Sequence, residues 1–165
     1  MGVGGRVRRG AVRDWEATHS NEMFWGCAGK PTEACAWHHT LIDEAFGGQG
    51  EKGTIAISLL LDLAKAYEHA DHPKVQRECM ATAFPLDLLR ICLASYCAPR
   101  RIVADGLVSA PITADRTILA GCSFAVSILK ATLWRTAHAV EAAHRGATLR
   151  IVVDDITLQM VSTRS

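Results

Sequence analysis

No apolar run in this chain approaches the ~20 residues that a bilayer-spanning helix requires. The N-terminal stretch "MGVGGRVRRGAVRDWE" carries Arg6, Arg8, Arg9 and Arg13 but no apolar core, so it does not read as a secretory signal, and residence inside the cell is the expectation. Repeats, low-complexity tracts and Pro/Ser-rich linkers are absent too, which excludes solenoids and flexible tethers. There is almost no net charge, +1 at pH 7, so the chain as a whole is not built as a polyanion binder. What remains is ordinary globular material. Of 165 residues, 49% are hydrophobic and 21% charged, enough for one domain with a real core.

None of the six cysteines forms a CxxC pair. Most lie in apolar helical contexts, and reduced buried thiols are the simplest reading. The run "CAGKPTEACAWHH" gathers Cys27, Cys35, His38 and His39, but its spacing matches no common zinc pattern. Arg100 and Arg101 form a second basic cluster, for which a solvated face suffices.

Along the chain, "AVRDWEATH" and "KPTEACAWHHTLIDEAF" read as helices, the second opened by Pro31 and Thr32. "GGQGEKG" is the strongest punctuation and sets a helical N-terminal part apart from the rest. "TIAISLLLDL" then predicts a buried strand ending in Asp62. Two helices follow between His72 and Cys97, broken at "FPLD". "RRIVADGLVSAPIT" predicts a hairpin turning at Asp105-Gly106, and the segment from Gly121 to about His144 a long helix ended near Gly146. "ATLRIVV" and "ITLQMV" are the arms of a last hairpin around Asp154-Asp155.

That order, β-α-β-β-α-β with an added strand, predicts an α+β fold on the ferredoxin-like plan. Right-handed crossovers would place the strand ending at Asp62 beside the strand entering the Asp154-Asp155 turn. Three carboxylates would then converge at one sheet edge. An exposed turn is a sufficient use for two adjacent aspartates, but it gives no reason for Asp62. Like charges held close are stable when a cation neutralises them, and aspartate oxygens select Mg²⁺ or Mn²⁺. Two such ions ~3.5–4 Å apart suit in-line displacement at phosphorus.

These residues carry a family resemblance. "LLLDLAKAYEHADH" resembles the first palm motif of reverse transcriptases, above all those of non-LTR retrotransposons and group II introns. "RIVVDDITLQM" resembles the third motif, two aspartates on a hairpin, and "ILAGCSFAVSILKATL" the second, which opens a long helix. The three stand in the right order across residues 55–161. The resemblance implies a polymerase palm over residues 53–165, a partial helical fingers region over residues 1–52, and no thumb. It implies RNA-directed DNA polymerisation with Mg²⁺ or Mn²⁺, deoxynucleoside triphosphates, and an RNA template and primer, with further segments in a longer retroelement polyprotein.

Carried over residue by residue, Asp62 and Asp154 would be the principal metal ligands, joined by the Leu63 carbonyl, with Asp155 in the same acidic cluster. Tyr67, with Ala66 beside it, matches the bulky residue that packs under the incoming sugar; a core aromatic is the competing use. Ala120 and Gly121 would lie near the incoming nucleotide, the glycine allowing close backbone approach. The sequence departs from the family in three places. Ala120 stands where Gln is usual, Ser127 lacks the usual following Pro, and Val152 replaces an aromatic. With the triphosphate-cradling fingers residues also unmatched, a truncated or decayed copy is expected. The alternatives are an inactive nucleic-acid-binding palm and another palm enzyme such as an RNA-templated RNA polymerase.

Overall fold

The computed structural model describes residues 3–27, 29–47, 54–119 and 121–163. The chain is α+β, with five helices and a mixed four-stranded sheet among the described residues. It divides into two compact units, residues 1–15 with 65–132, and residues 16–64 with 133–165. The boundary expected between residues 52 and 53 lies outside the described residues. Of the seven residues of "GGQGEKG", 48–53 lie outside the described set.

The second unit holds the sheet, in the order β1-β5-β6-β2. Its strands are β1 (Phe24–Trp25), β2 (Thr54–Asp62), β5 (Ala147–Val152) and β6 (Asp155–Thr163). β1 runs parallel to β5, and the other pairs are antiparallel. Strict alternation in β5 and β6 sends Leu149, Ile151, Ile156 and Leu158 to one face. There they pack with Met23, Phe24 and Ala137, and with Leu133, Trp134 and Val140 of helix α5 (Ala125–Ala143). Each fully buried side chain of this size contributes about 1.5–3 kcal/mol, and Phe24 stacks on Trp134 at 5.4 Å between ring centroids. The opposite face carries Arg150, Thr157 and Gln159 beneath helix α2 (Thr32–Gly47). Glu33 in the first turn of α2 meets the positive end of the helix dipole.

The first unit is built on helices: α3 (His72–Ala81), α4 (Leu86–Tyr96), most of α1 (Val3–Thr18) and the start of α5. Asp71 caps α3 by accepting from the Lys74 amide at 3.0 Å, and Pro73 sits in the first turn, where it loses no hydrogen bond. The core includes Val75, Cys79, Phe84, Leu89, Tyr96 and Ile128. Trp15 meets Phe84 edge to face and donates its indole N–H to the Thr82 carbonyl at 2.8 Å. The hairpin of β3 (Val103–Ala104) and β4 (Leu107–Val108) turns at Asp105 and Gly106, with φ of +51° and +77° as the sequence predicts.

Three expectations need correction. β2 is not a buried strand: it has a sheet neighbour on one side only, and Ile57 and Leu60 are 56% and 69% exposed. The expected ferredoxin-like order is not formed either. β3 and β4 are two-residue strands with every residue exposed, and they make a separate sheet. β6, expected as an addition at the end, lies between β5 and β2, because the tight turn after β5 folds it straight back and leaves β6 to receive β2.

Candidate active site

The β2–β6 ladder runs from Thr54↔Thr163 to Asp62↔Asp155, so the two aspartates are register partners at its last rung. Directly opposite residues of an antiparallel pair point to the same face, with Cβ atoms about 4.5–5.5 Å apart. Immediately beyond, the Leu63 amide donates to the Asp154 carbonyl at 3.1 Å and ties the end of the first motif to the hairpin of the third. The hairpin turn is Val153-Asp154, since Val152 pairs with Asp155. Asp155 is therefore the first residue of a strand rather than a turn residue.

Val153 holds φ at +61°, in the left-handed region that a β-branched residue avoids. A second tight turn abuts this hairpin. There the Gly26 amide donates to the Lys30 carbonyl at 2.8 Å and the Lys30 amide to Cys27 at 3.0 Å. Gly26 has φ of +73°, and a methyl group on it would stand 3.4 Å from Thr32 Cγ2 and 3.7 Å from Val152 Cγ1. The positive φ favours glycine there, while the added methyl itself would make only ordinary van der Waals contacts.

A cavity of about 500 Å³ opens between α2 and this end of the sheet. Asp62 and Asp155 line it together with Cys35, His39, Thr40 and Thr157. A polar network fastens α2 to the same face. Arg150, 6% exposed, donates to Gln159 Oε1 at 2.9 Å. Gln159 Nε2 in turn donates to Asp43 Oδ1 at 2.9 Å and to Ser58 Oγ at 3.3 Å. Ser58 also donates to Asp43, and the other Asp43 oxygen accepts from His39 Nδ1 at 3.2 Å. Burial pushes the Cys35 thiol up in pKa, partly offset by the Arg150 charge. The sequence reading did not find this network, although its signal is visible: Arg150 and Gln159 each interrupt an apolar strand at the same-face positions.

The donor set suits a hard divalent ion in kind, because Asp62 and Asp155 offer only oxygen and share a face. It is incomplete in number. Among the described residues no group of three His, Cys, Asp or Glu side chains is gathered closely enough to hold a metal. The expected three-carboxylate cluster is thus a pair on one face with Asp154 set in the turn beside it.

The remaining candidates belong to the other compact unit. Ala66 and Tyr67 are half-buried in the turn after β2, and Tyr67 O accepts from the Ile118 amide at 2.7 Å. Ala70 O accepts from Thr117 at 2.9 Å, so the end of the first motif lies along the segment leading to the second. Gly121 is exposed with φ of +84°. Ala120 lies outside the described residues.

No protein-family model matches this sequence, and no curated protein matches it. Solved structures do. The chain is similar to apo telomerase from Candida tropicalis truncated from its C-terminal domain, with a TM-score of 0.60 and 9% identity over 94% of this chain and 33% of that one. It is also similar to telomerase from Candida albicans in complex with a TWJ fragment of telomeric RNA, with a TM-score of 0.62 and 13% identity over 94% of this chain and 30% of that one. The chain spans about a third of the length of these telomerases. At such identity the likeness shows the fold alone, a fold similar to that of part of these telomerases. No described helix is long and apolar enough to cross a membrane.

Proposed function

We propose that the chain is a palm-like portion of an RNA-directed DNA polymerase, descended from a retroelement enzyme and acting in template-directed deoxynucleotidyl transfer. One observation carries the reading: Asp62 and Asp155 face each other at the mouth of a cavity, on strands of a fold similar to that of part of these telomerases. Asp62 and Asp155 are the side chains that would hold Mg²⁺ or Mn²⁺, with Asp154 and the Leu63 carbonyl as the neighbouring oxygen donors assigned beside them. Bound there, divalent ions supply charge neutralisation for an attacking hydroxyl and a departing pyrophosphate.

The chain's own part is positional. The β2–β6 ladder fixes the spacing of the two carboxylates, and the Leu63–Asp154 bond fixes the hairpin against β2. Pre-set charges of this kind lower a barrier without reorganising during the reaction. The family resemblance assigns Ala66, Tyr67, Ala120 and Gly121 to the nucleotide. An RNA template is the assigned partner, in keeping with the RNA fragment bound by the Candida albicans telomerase.

The test is primer extension on an RNA template by the purified chain, with Mg²⁺ or Mn²⁺ and deoxynucleoside triphosphates, beside Asp62→Asn and Asp155→Asn. Metal-dependent extension by the wild type and its loss in both variants support the reading. Extension that survives either substitution refutes it. A second reading, an inactive palm that only binds nucleic acid, is favoured because no third ligating side chain is gathered beside the pair among the described residues; it predicts RNA binding without extension.

A further inference from the structure

Cys97 is the one exposed thiol among the six cysteines. It ends α4, and its Sγ lies 3.3 Å from Nδ1 of His72, at the start of α3. The other ring nitrogen, Nε2, lies 2.8 Å from the Thr117 carbonyl oxygen. A carbonyl only accepts, so Nε2 carries the ring proton and Nδ1 presents its lone pair. The Cys97 thiol is therefore the donor to Nδ1. A nucleophile donates to a base, and the base is oriented by a third group.

His72 is held for this role. The ring is 8% exposed and packs at 6.3 Å from the Tyr96 ring. The neighbouring Asp71 carboxylate is occupied by the Lys74 amide and caps the helix. Past Cys97 the chain reads Ala98-Pro99-Arg100-Arg101. Arg100 Nη2 donates to the Tyr96 carbonyl at 3.2 Å and to the Ser95 carbonyl at 3.4 Å. That places a cation on the negative end of α4, which would otherwise oppose a thiolate. Arg101 adds a second exposed charge.

We propose that Cys97 and His72 form a nucleophile–base pair that captures anionic low-molecular-mass disulfides as a mixed disulfide on Cys97. The thiol proton passes to His72 Nδ1 as the Cys97 sulfur attacks one sulfur of the disulfide. One S–S bond forms and one breaks, and the departing thiolate takes the proton back from the imidazole, so the step needs no further oxidant. Arg100 and Arg101 select the negatively charged reagent.

The test follows mixed-disulfide formation on the Cys97 peptide by mass spectrometry at pH 7. Oxidised glutathione is the anionic probe and 2-hydroxyethyl disulfide the neutral one. An unassisted thiol is only a few per cent thiolate at this pH, so the folded chain should react about tenfold faster than the urea-unfolded chain. His72→Gln keeps a donor for the Thr117 carbonyl but removes the base, and should drop to the unfolded rate. Preference for the anionic probe should vanish in the Arg100→Gln, Arg101→Gln double variant. A folded rate no higher than the unfolded one overturns the proposal, and needs no variant to fold. An unchanged rate in His72→Gln, or equal rates with both probes in the wild type, overturns it as well.

Discussion

Asp62 and Asp155 occupy the last rung of the β2–β6 ladder as direct partners, two like charges on one face of the sheet. Opposed like charges weaken a strand pair by up to about 1 kcal/mol. A fold that keeps them does so against its own stability. Asp155→Asn should therefore raise the stability of the chain by about 0.5 kcal/mol at low salt, and by less at high salt. Urea unfolding with and without Mg²⁺ checks both halves. The ion should stabilise the wild type and leave Asp155→Asn unmoved.

Val153 stores strain in the turn beside this pair. At φ of +61° a β-branched residue costs on the order of 1–3 kcal/mol, partly offset in glycine by a freer unfolded chain. Val153→Gly should raise the denaturation midpoint, with a net gain of about 1 kcal/mol. Gly26→Ala should do the reverse, because its φ of +73° penalises a side chain. If Val153→Gly unfolds earlier than the wild type, packing of the isopropyl group outweighs the strain.

Where periodicity and punctuation were local, the sequence was sufficient. The Asp105-Gly106 turn, the break between α3 and α4, and β2 ending at Asp62 follow from residues a few positions apart. What failed was long-range. The apolar run of β2 reads as burial, but the same run serves an edge strand, because periodicity reports which faces are apolar and not what covers them. Sheet order failed for a related reason: the two-residue strands at Val103 and Leu107 match the ferredoxin pattern in sequence yet are too short to extend a sheet. The partnership of Asp62 with the Asp154-Asp155 hairpin was legible from the expected strand order and again through the family resemblance, although β2 meets the strand leaving the turn rather than the one entering it. Its one-residue shift, from Asp154 to Asp155, depended on where the turn falls.

The exposed apolar residues of β2 have a measurable consequence. Ile55, Ile57, Leu59, Leu60 and Leu61 lie on an edge strand with no intervening charge or proline, the devices that protect such edges. Leu60→Lys should lower self-association in light scattering with little change in unfolding midpoint, since that side chain is 69% exposed.

The network beneath α2 behaves differently. Gln159 is 2% exposed and bridges Arg150 to Asp43 and Ser58. Gln159→Leu preserves size but leaves the Arg150 guanidinium without its hydrogen-bond acceptor, at a cost of about 2–4 kcal/mol. Replacing Arg150 by Met in the same chain should return part of that loss, because no buried charge then remains unpaired. Equal instability of the single and double variants would mean that shape, rather than charge, governs the site.

Alkaline stability offers a last prediction, from Cys79 in the core of the helical unit. Burial first, then the charge of Glu78 and the neighbouring Cys92, push its thiol from an ordinary value of 9.0 up to about 12. Between those values the unfolded chain has lost this proton and the folded chain keeps it, so unfolding releases a proton and stability falls as pH rises. Below pH 9 the contribution is complete and flat. Burial raises the Tyr96 hydroxyl in the same direction, aided by the neighbouring Cys122 and Cys92 thiols, so both groups steepen the decline. Unfolding midpoints should hold from pH 8 to about pH 9 and fall from there to pH 11, and Cys79→Ala should flatten that fall while lowering the midpoint at pH 8. A wild-type midpoint constant through pH 11 would mean that Cys79 ionises equally in both states.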